Sequence, residues 1–334
     1  MVTKREYWLD VIKIIASFLV IILHTVCYGI NDKISSPALL AYYMGTFAIP
    51  LFWMASGYIQ LRKKVTYQYA FKKISKILFI AFVWNTVFIL FRLLIEGKFE
   101  NPMNATVKSF IQMGYFFQFW FLGSLILIYL FLPLLSRIFN NSRNTYKVFA
   151  FILLIICVLI NIYNIYHYST GEKIIKERII QTFRMWTWLL YFCIGGYLSK
   201  NNILEKLSTT KHCIYALVFV ILTICYEYFY ALRLYGSLYA ENFYDSIFVF
   251  FTSIMIFTCL KKVKWKKIEA IANLGTLTMG VYIIHTSIIY LIGSFQLLNN
   301  NWINMFVAIV VFLISLFISY MISKIPKVSL LIKI

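Results

Sequence analysis

Apolar runs of about twenty residues recur along this chain from end to end, broken by short basic loops. That is the length a helix needs to cross ~30 Å of hydrocarbon. Ten such runs can be read, near 7–28, 38–61, 76–95, 119–139, 147–167, 183–199, 213–232, 244–260, 273–294 and 302–323. The expected fold is therefore all-α, a polytopic integral membrane helical bundle forming one domain over residues 1–334. No appended soluble domain, repeat or low-complexity linker is visible. Composition agrees: 62% of residues are hydrophobic and 13% charged, against about 25% charged in soluble domains.

The net charge of +20 raises the question of nucleic acid. Its distribution excludes that reading, because Lys and Arg gather in loops between runs, where they set topology and meet anionic lipid. With the N-terminus in the cytosol, 22 of them fall on the cytosolic side and 8 on the outer side, so both termini are expected inside. Lys4 and Arg5 precede an apolar run, as in a signal peptide, but the run is long, contains Lys13 and lacks a small-residue cleavage site, so it is expected to be retained. Cys27, Cys157, Cys193, Cys213, Cys225 and Cys259 lie in or beside apolar runs without metal-ligand spacing and read as small core residues. No metal is expected. Pro50 and Pro133 fall inside runs and are expected to kink them. Tyr42, Tyr43, Trp186, Trp188 and Trp302 read as interfacial anchors, and His167 and His212 as interfacial residues.

The first run, Tyr7 to Tyr28, carries Asp10, Lys13 and His24. An ionisable group inside a bilayer is costly and marks a functional site or a buried pair. Asp10 and Lys13 are three apart and close enough to pair. Lys13 and His24 are eleven apart, which puts them on one helix face about 16 Å apart along the axis. In a water-poor cavity His24 would be a general base for a hydroxyl nucleophile; a core histidine bonded across helices is the plain alternative. Lys13 would face a phosphate or polarise a carbonyl, or simply snorkel at the interface. Lys72, Lys73 and Lys76 open the third run and are either a topology signal or a clamp for a phosphate-bearing ligand. Ser56 and Gly57, at about the depth of Lys13, leave room for a thin ligand arm or serve helix packing. Trp120 is expected at the outer edge of the fourth run. Tyr282 and His285, three apart in the ninth, are placed to hydrogen-bond or act together, and Glu227 is one more ionisable group at depth.

Together these residues resemble the acyltransferase-3 family of integral membrane acyltransferases. Asp10 and His24 match the family's first helix, with Lys13 in place of its arginine at the spacing of the Arg, ten residues, His hallmark. PLFWMASGYI is similar to its "PLFF..SGYL" segment, the Lys72, Lys73 and Lys76 cluster to its basic motif, FWFLGSLILIYLFLPLL to its fourth span, and VYIIH to its "YxxH". The chain is most like the short members that O-acetylate surface polysaccharides. The resemblance implies a bacterial cytoplasmic-membrane enzyme that takes acetyl from cytosolic acetyl-CoA and places it on a hydroxyl of an envelope or capsular glycan or a lipid-linked oligosaccharide, among membrane lipids; succinyl or longer donors fit as well. It implies that Lys13 and the Lys72 to Lys76 cluster hold acyl-CoA with its arm beside Ser56 and Gly57. It implies too that His24 is catalytic, as base or acyl carrier, with Asp10, Lys13, Tyr282 and His285 in the same site, and that the glycan enters near Trp120. Lysine at position 13 cannot fork to a phosphate or carbonyl as arginine does. The competing readings are a secondary transporter, against which stands the want of inverted repeats, and a non-catalytic polysaccharide export component.

Overall fold

The computed structural model describes residues 5–26, 36–170, 174–201, 207–235, 239–265, 269–298 and 300–333. Lys4, Cys27, Tyr28, Lys33, Lys173 and part of the 168–182 loop lie outside the described residues. Among those described, the regular structure is helical: α1 (Tyr7–Thr25), α2 (Ser36–Met44), α3 (Ala48–Gln60), α4 (Tyr67–Glu96), α5 (Pro102–Phe110), α6 (Trp120–Asn141), α7 (Arg143–Ser169), the single turn α8 (Ile175–Arg178), α9 (Met185–Lys200), α10 (Thr209–Tyr235), α11 (Ile247–Lys262), α12 (Glu269–Ser294) and α13 (Asn301–Lys324). Eight helical segments are long and apolar enough to cross a membrane. The other two expected spans are α9 and α11, each of 16 residues. At 1.5 Å per residue each reaches only about 24 Å.

The bundle is built inside out. α7, α10 and α13 turn Phe151, Leu159, Leu217, Ile221, Leu313 and Phe317 outward as exposed side chains, a surface that needs lipid to cover it. α1 sits at the centre, packed on α3, α11, α12 and α13. α13 runs antiparallel to α1: Asn304 at its start reaches the Val26 carbonyl at 3.4 Å, and Phe312 meets Phe18. Its C-terminal end thus lies at the same end of the bundle as the N-terminus of α1. Beyond it, Lys327 takes a left-handed φ of 69° and turns the chain back. The Leu331 carbonyl then accepts from Trp84 of α4 at 3.1 Å, with Ile332 fully buried.

Local chemistry explains the element ends. Thr66 caps α4 by accepting from the Tyr69 amide at 3.2 Å, and Gly97, at φ 67°, ends it in the left-handed region where a Cβ is disfavoured. α4 is 30 residues long, about 45 Å, so its first turns, with Lys72 and Lys73, stand beyond a ~30 Å core. The second expected span is broken into α2 and α3 by a tighter 3-10 turn, Gly45–Phe47. Pro50 sits in the first turn of α3 and has no amide to offer the Thr46 carbonyl. α5 was not expected; Asn101 caps it through bonds to the Met103 and Asn104 amides, with Pro102 at its first position.

Several anchoring residues turn out to be core. Tyr42, Tyr43 and Trp188 are buried, and only Trp302 of the expected anchors is strongly exposed, with Trp186 half-buried. The reason is that α9 and the α2–α3 segment lie inside the bundle, not on its rim. His212 is likewise buried, 3.0 Å from the Thr258 hydroxyl, while His167 stacks on Tyr163. Cys157, Cys193 and Cys259 are buried as core residues should be, and Cys225 is exposed on the lipid-facing surface of α10.

Candidate active site

The site is assembled between α1 and α12. On α1, Asp10 pairs with Lys13 (Nζ to Oδ1, 3.4 Å) and with Arg5 (Nε to Oδ2, 2.8 Å). Asp10 is buried, and α12 makes room for it with Gly275, where a Cβ would stand 2.5 Å from Oδ1. Three turns beyond Lys13 on α1, His24 meets His285 of α12: ring centroids lie 5.4 Å apart with planes 28° from parallel. Phe117 closes on His24 edge-on at 5.2 Å.

The two histidines are stacked and not bonded to each other. His285 is fully buried and its Nδ1 lies 3.1 Å from the Val281 carbonyl oxygen. A carbonyl only accepts, so Nδ1 carries the proton and Nε2 the lone pair. Nε2 has no partner among the described residues. An orphaned buried acceptor costs about 1–3 kcal/mol until a donor arrives. The expected bond between Tyr282 and His285 is not made: the Tyr282 hydroxyl donates to the backbone carbonyl of Gln118, and the two rings stand 6.2 Å apart. Gln118 in turn donates to the Thr286 hydroxyl at 2.6 Å, so the loop before α6 is tied to α12 beside His285.

Three cavities bracket these residues. At the N-terminal end of α1 opens a cleft of about 1050 Å³, lined by Arg5, Glu6, Asp10, Lys13, Arg62 and Lys63 among others. Four cations face two carboxylates there. Arg62 is tied to Glu6 at 2.6 Å. Lys63 has no ion pair among the described residues. An apolar slot of about 130 Å³ continues from it, sharing Lys13 and Ile59 and lined further by Phe52, Ser56, Thr278 and Tyr282. On the far side of the histidine pair a chamber of about 250 Å³ is lined by His24, Phe88, Tyr115, Phe117, Ser287 and Tyr290.

Of the residues expected from sequence, the structure gathers Asp10, Lys13, Ser56, Tyr282, His285 and His24 along this line. Three expectations are corrected. Gly57 leaves no space for a ligand, since a Cβ there would sit 1.8 Å from the Phe192 carbonyl oxygen. Trp120 opens α6 but does not face outward as a belt residue would: it is 4% exposed and packs on Trp188 at 5.2 Å. Lys72, Lys73 and Lys76 do not line the basic cleft, because they sit on α4, beyond the Arg62–Lys63 turn; Lys73 is half-buried there, its ammonium over the Tyr69 ring at 5.8 Å and within the field of Lys76 and Lys63. Sequence reasoning missed Arg5, Glu6, Arg62 and Lys63. For Arg62 and Lys63 the signal is the basic run directly after the second apolar stretch, which suits a ligand as well as topology. Glu227 is fully buried, 3.4 Å from the Thr46 hydroxyl, away from this line.

Fold and site together define a multi-pass helical membrane protein with ionisable groups enclosed between a basic cleft and an aromatic chamber. The profile of an acyltransferase domain matches residues 6–324 of the chain. The chain belongs to the acyltransferase-3 family and is a membrane acyltransferase. No curated protein and no solved structure matches it.

Proposed function

We propose that the protein is an O-acetyltransferase of the bacterial cytoplasmic membrane, moving acetyl from cytosolic acetyl-CoA to a hydroxyl of an envelope or capsular polysaccharide or its lipid-linked precursor. The observation that carries this reading is the alignment of three differently lined spaces on one axis. The basic cleft suits the CoA phosphates, with Lys63, Arg62 and Arg5 as point charges and forks, and Lys73 adding to the positive field. The slot past Lys13 and Ser56 suits the uncharged pantetheine arm. The histidine pair lies beyond Tyr282, where a thioester would arrive, and the aromatic chamber opens on the other side for the acceptor. Lys13, held by Asp10, stands at the junction of cleft and slot and orients the donor.

In the transfer step the acceptor hydroxyl gives its proton to the His24 imidazole as its oxygen attacks the thioester carbonyl. The C–S bond breaks and CoA leaves as the thiolate. The unpartnered Nε2 of His285 is an acceptor that can take the proton onward from His24. The test is transfer of label from radiolabelled acetyl-CoA to envelope glycan in membranes holding the wild type or His24→Ala. Base-labile label lost in the variant supports the reading. Label that persists in His24→Ala sinks the role of His24, and absence of transfer from any acyl-CoA sinks the reading whole.

A further inference from the structure

Next to the aromatic chamber, behind its lining residues Tyr115 and Tyr290, stands a polar rim that the mechanism above does not use. Arg92 and Glu96, at the end of α4, form a two-pronged pair: Nη2 to Oε2 at 2.6 Å and Nε to Oε1 at 3.2 Å. An i, i+4 pair on one helix needs no second helix to hold it. This one is held by two others. The hydroxyl of Tyr290, on α12, donates to Glu96 at 3.2 Å. The ring of Tyr115, in the segment between α5 and α6, lies under the Arg92 guanidinium at 4.1 Å. Tyr115 and Tyr290 also line the chamber with His24 and meet each other edge-to-face at 6.0 Å. The cluster thus ties α4 to α12 beside the chamber, where Phe88 of α4 also meets Tyr290 at 6.2 Å.

We propose that the Arg92–Glu96 pair with Tyr115 and Tyr290 is a subsite for one uncharged sugar residue of the acceptor, a proposal that rests on the acetyltransferase reading. A pyranose has an apolar C–H face and a rim of hydroxyls that both donate and accept. Tyrosine rings match the face, and a carboxylate beside a guanidinium offers an acceptor and donors in one plane. The charge of Arg92 is matched by Glu96, and Lys98, 3.6 Å from Glu96 Oε2, is 70% exposed with its charge turned to solvent, so the rim suits a neutral ring. At about 250 Å³ the chamber falls just below the ~300–1,000 Å³ of drug-sized ligand pockets and suits one ring, not an oligosaccharide. A ring seated there would carry its hydroxyls between the rim and His24. Glu96 and Arg92 thus bind the acceptor and leave the donor untouched.

The experiment uses the full-length protein in lipid nanodiscs, radiolabelled acetyl-CoA as donor, and methyl β-D-glucopyranoside, methyl β-D-galactopyranoside and methyl N-acetyl-β-D-glucosaminide as acceptors. Glu96→Gln is expected to raise the acceptor KM by about tenfold while the acetyl-CoA KM moves by less than about twofold. Tyr290→Phe keeps the ring, removes the bond to Glu96, and is expected to shift the acceptor KM in the same sense. An unchanged acceptor KM in both variants overturns the subsite. So does a wild type that labels its native envelope glycan but none of the three glycosides. A wild type that labels neither overturns the acetyltransferase reading itself, a result distinct from both.

Discussion

At the scale of single residues the decisive pair is His24 and His285. Loss of a general base costs about 100- to 10,000-fold, so His24→Ala is expected to reduce transfer by that factor with the protein still inserted in the membrane, read as label transferred per immunodetected molecule. His285 stacks on His24 and keeps an unpartnered Nε2, and His285→Phe, which keeps the ring stack on His24, is expected to cost about tenfold, the worth of one hydrogen bond to a reacting group. Equal and complete loss in both variants would mean that the two rings work as one unit. The lysines divide differently. Lys63 lines the basic cleft, whereas Lys72 is exposed on α4 outside it. Lys63→Ala is therefore expected to raise the acetyl-CoA KM by about tenfold and Lys72→Ala to raise it far less. The reverse order would return the donor site to the α4 cluster.

At the scale of elements, Ser56 and Gly57 are neighbours with opposite duties. Gly57 lies against the Phe192 backbone, and Gly195 of α9 lies equally close to Met54, a Cβ at either meeting a carbonyl oxygen at 2.0 Å or less. α3 and α9 thus touch backbone to backbone, the close approach that small residues allow in membranes. Gly57→Ala must push the helices apart and is expected to cost about 1–3 kcal/mol, visible as a lower melting temperature of the detergent-solubilised protein. Ser56→Val points into the slot instead, and should raise the acetyl-CoA KM with little change in melting temperature. A stable Gly57→Ala with wild-type melting would refute this account of the α3–α9 contact. The sequence alone made the two residues look alike, because both are small and at one depth. It could show that α1 carries Asp10, Lys13 and His24 on one stripe, since 3.6-residue periodicity needs no partner. It could not show which face of α3 meets α9, or that Trp120 and Trp188 stack inside: in lipid both faces of a helix are apolar, so hydrophobicity no longer marks the buried one. The break at Gly45–Phe47 was partly legible from Pro50. The replacement of Lys72 and Lys73 by Arg62 and Lys63 in the cleft was not, because it depends on the turn that carries Arg62 and Lys63 folding back over the N-terminal end of α1 to reach Glu6.

At the scale of the whole molecule, function hinges on which end of the bundle faces the cytosol. The basic cleft, the N-terminal end of α1 and the end of α13 lie together, and on the topology expected from sequence that side carries 22 Lys and Arg against 8 on the other. By the positive-inside rule the cleft is expected in the cytosol, the compartment that holds acyl-CoA, and the Tyr115–Tyr290 chamber on the outside, where the proposed glycan acceptor would be. This orientation is testable apart from any activity. In a cysteine-free background, Lys64→Cys marks the basic end and Lys98→Cys the far end; both side chains are exposed. A membrane-impermeant maleimide applied to intact spheroplasts is expected to label Lys98→Cys at once and Lys64→Cys only after lysis. The opposite pattern would place the cleft where no acyl-CoA reaches it. The donor assignment would then fall even with His24 and His285 still side by side, because the same residues would face a glycan through their basic mouth and the cytosol through their aromatic one.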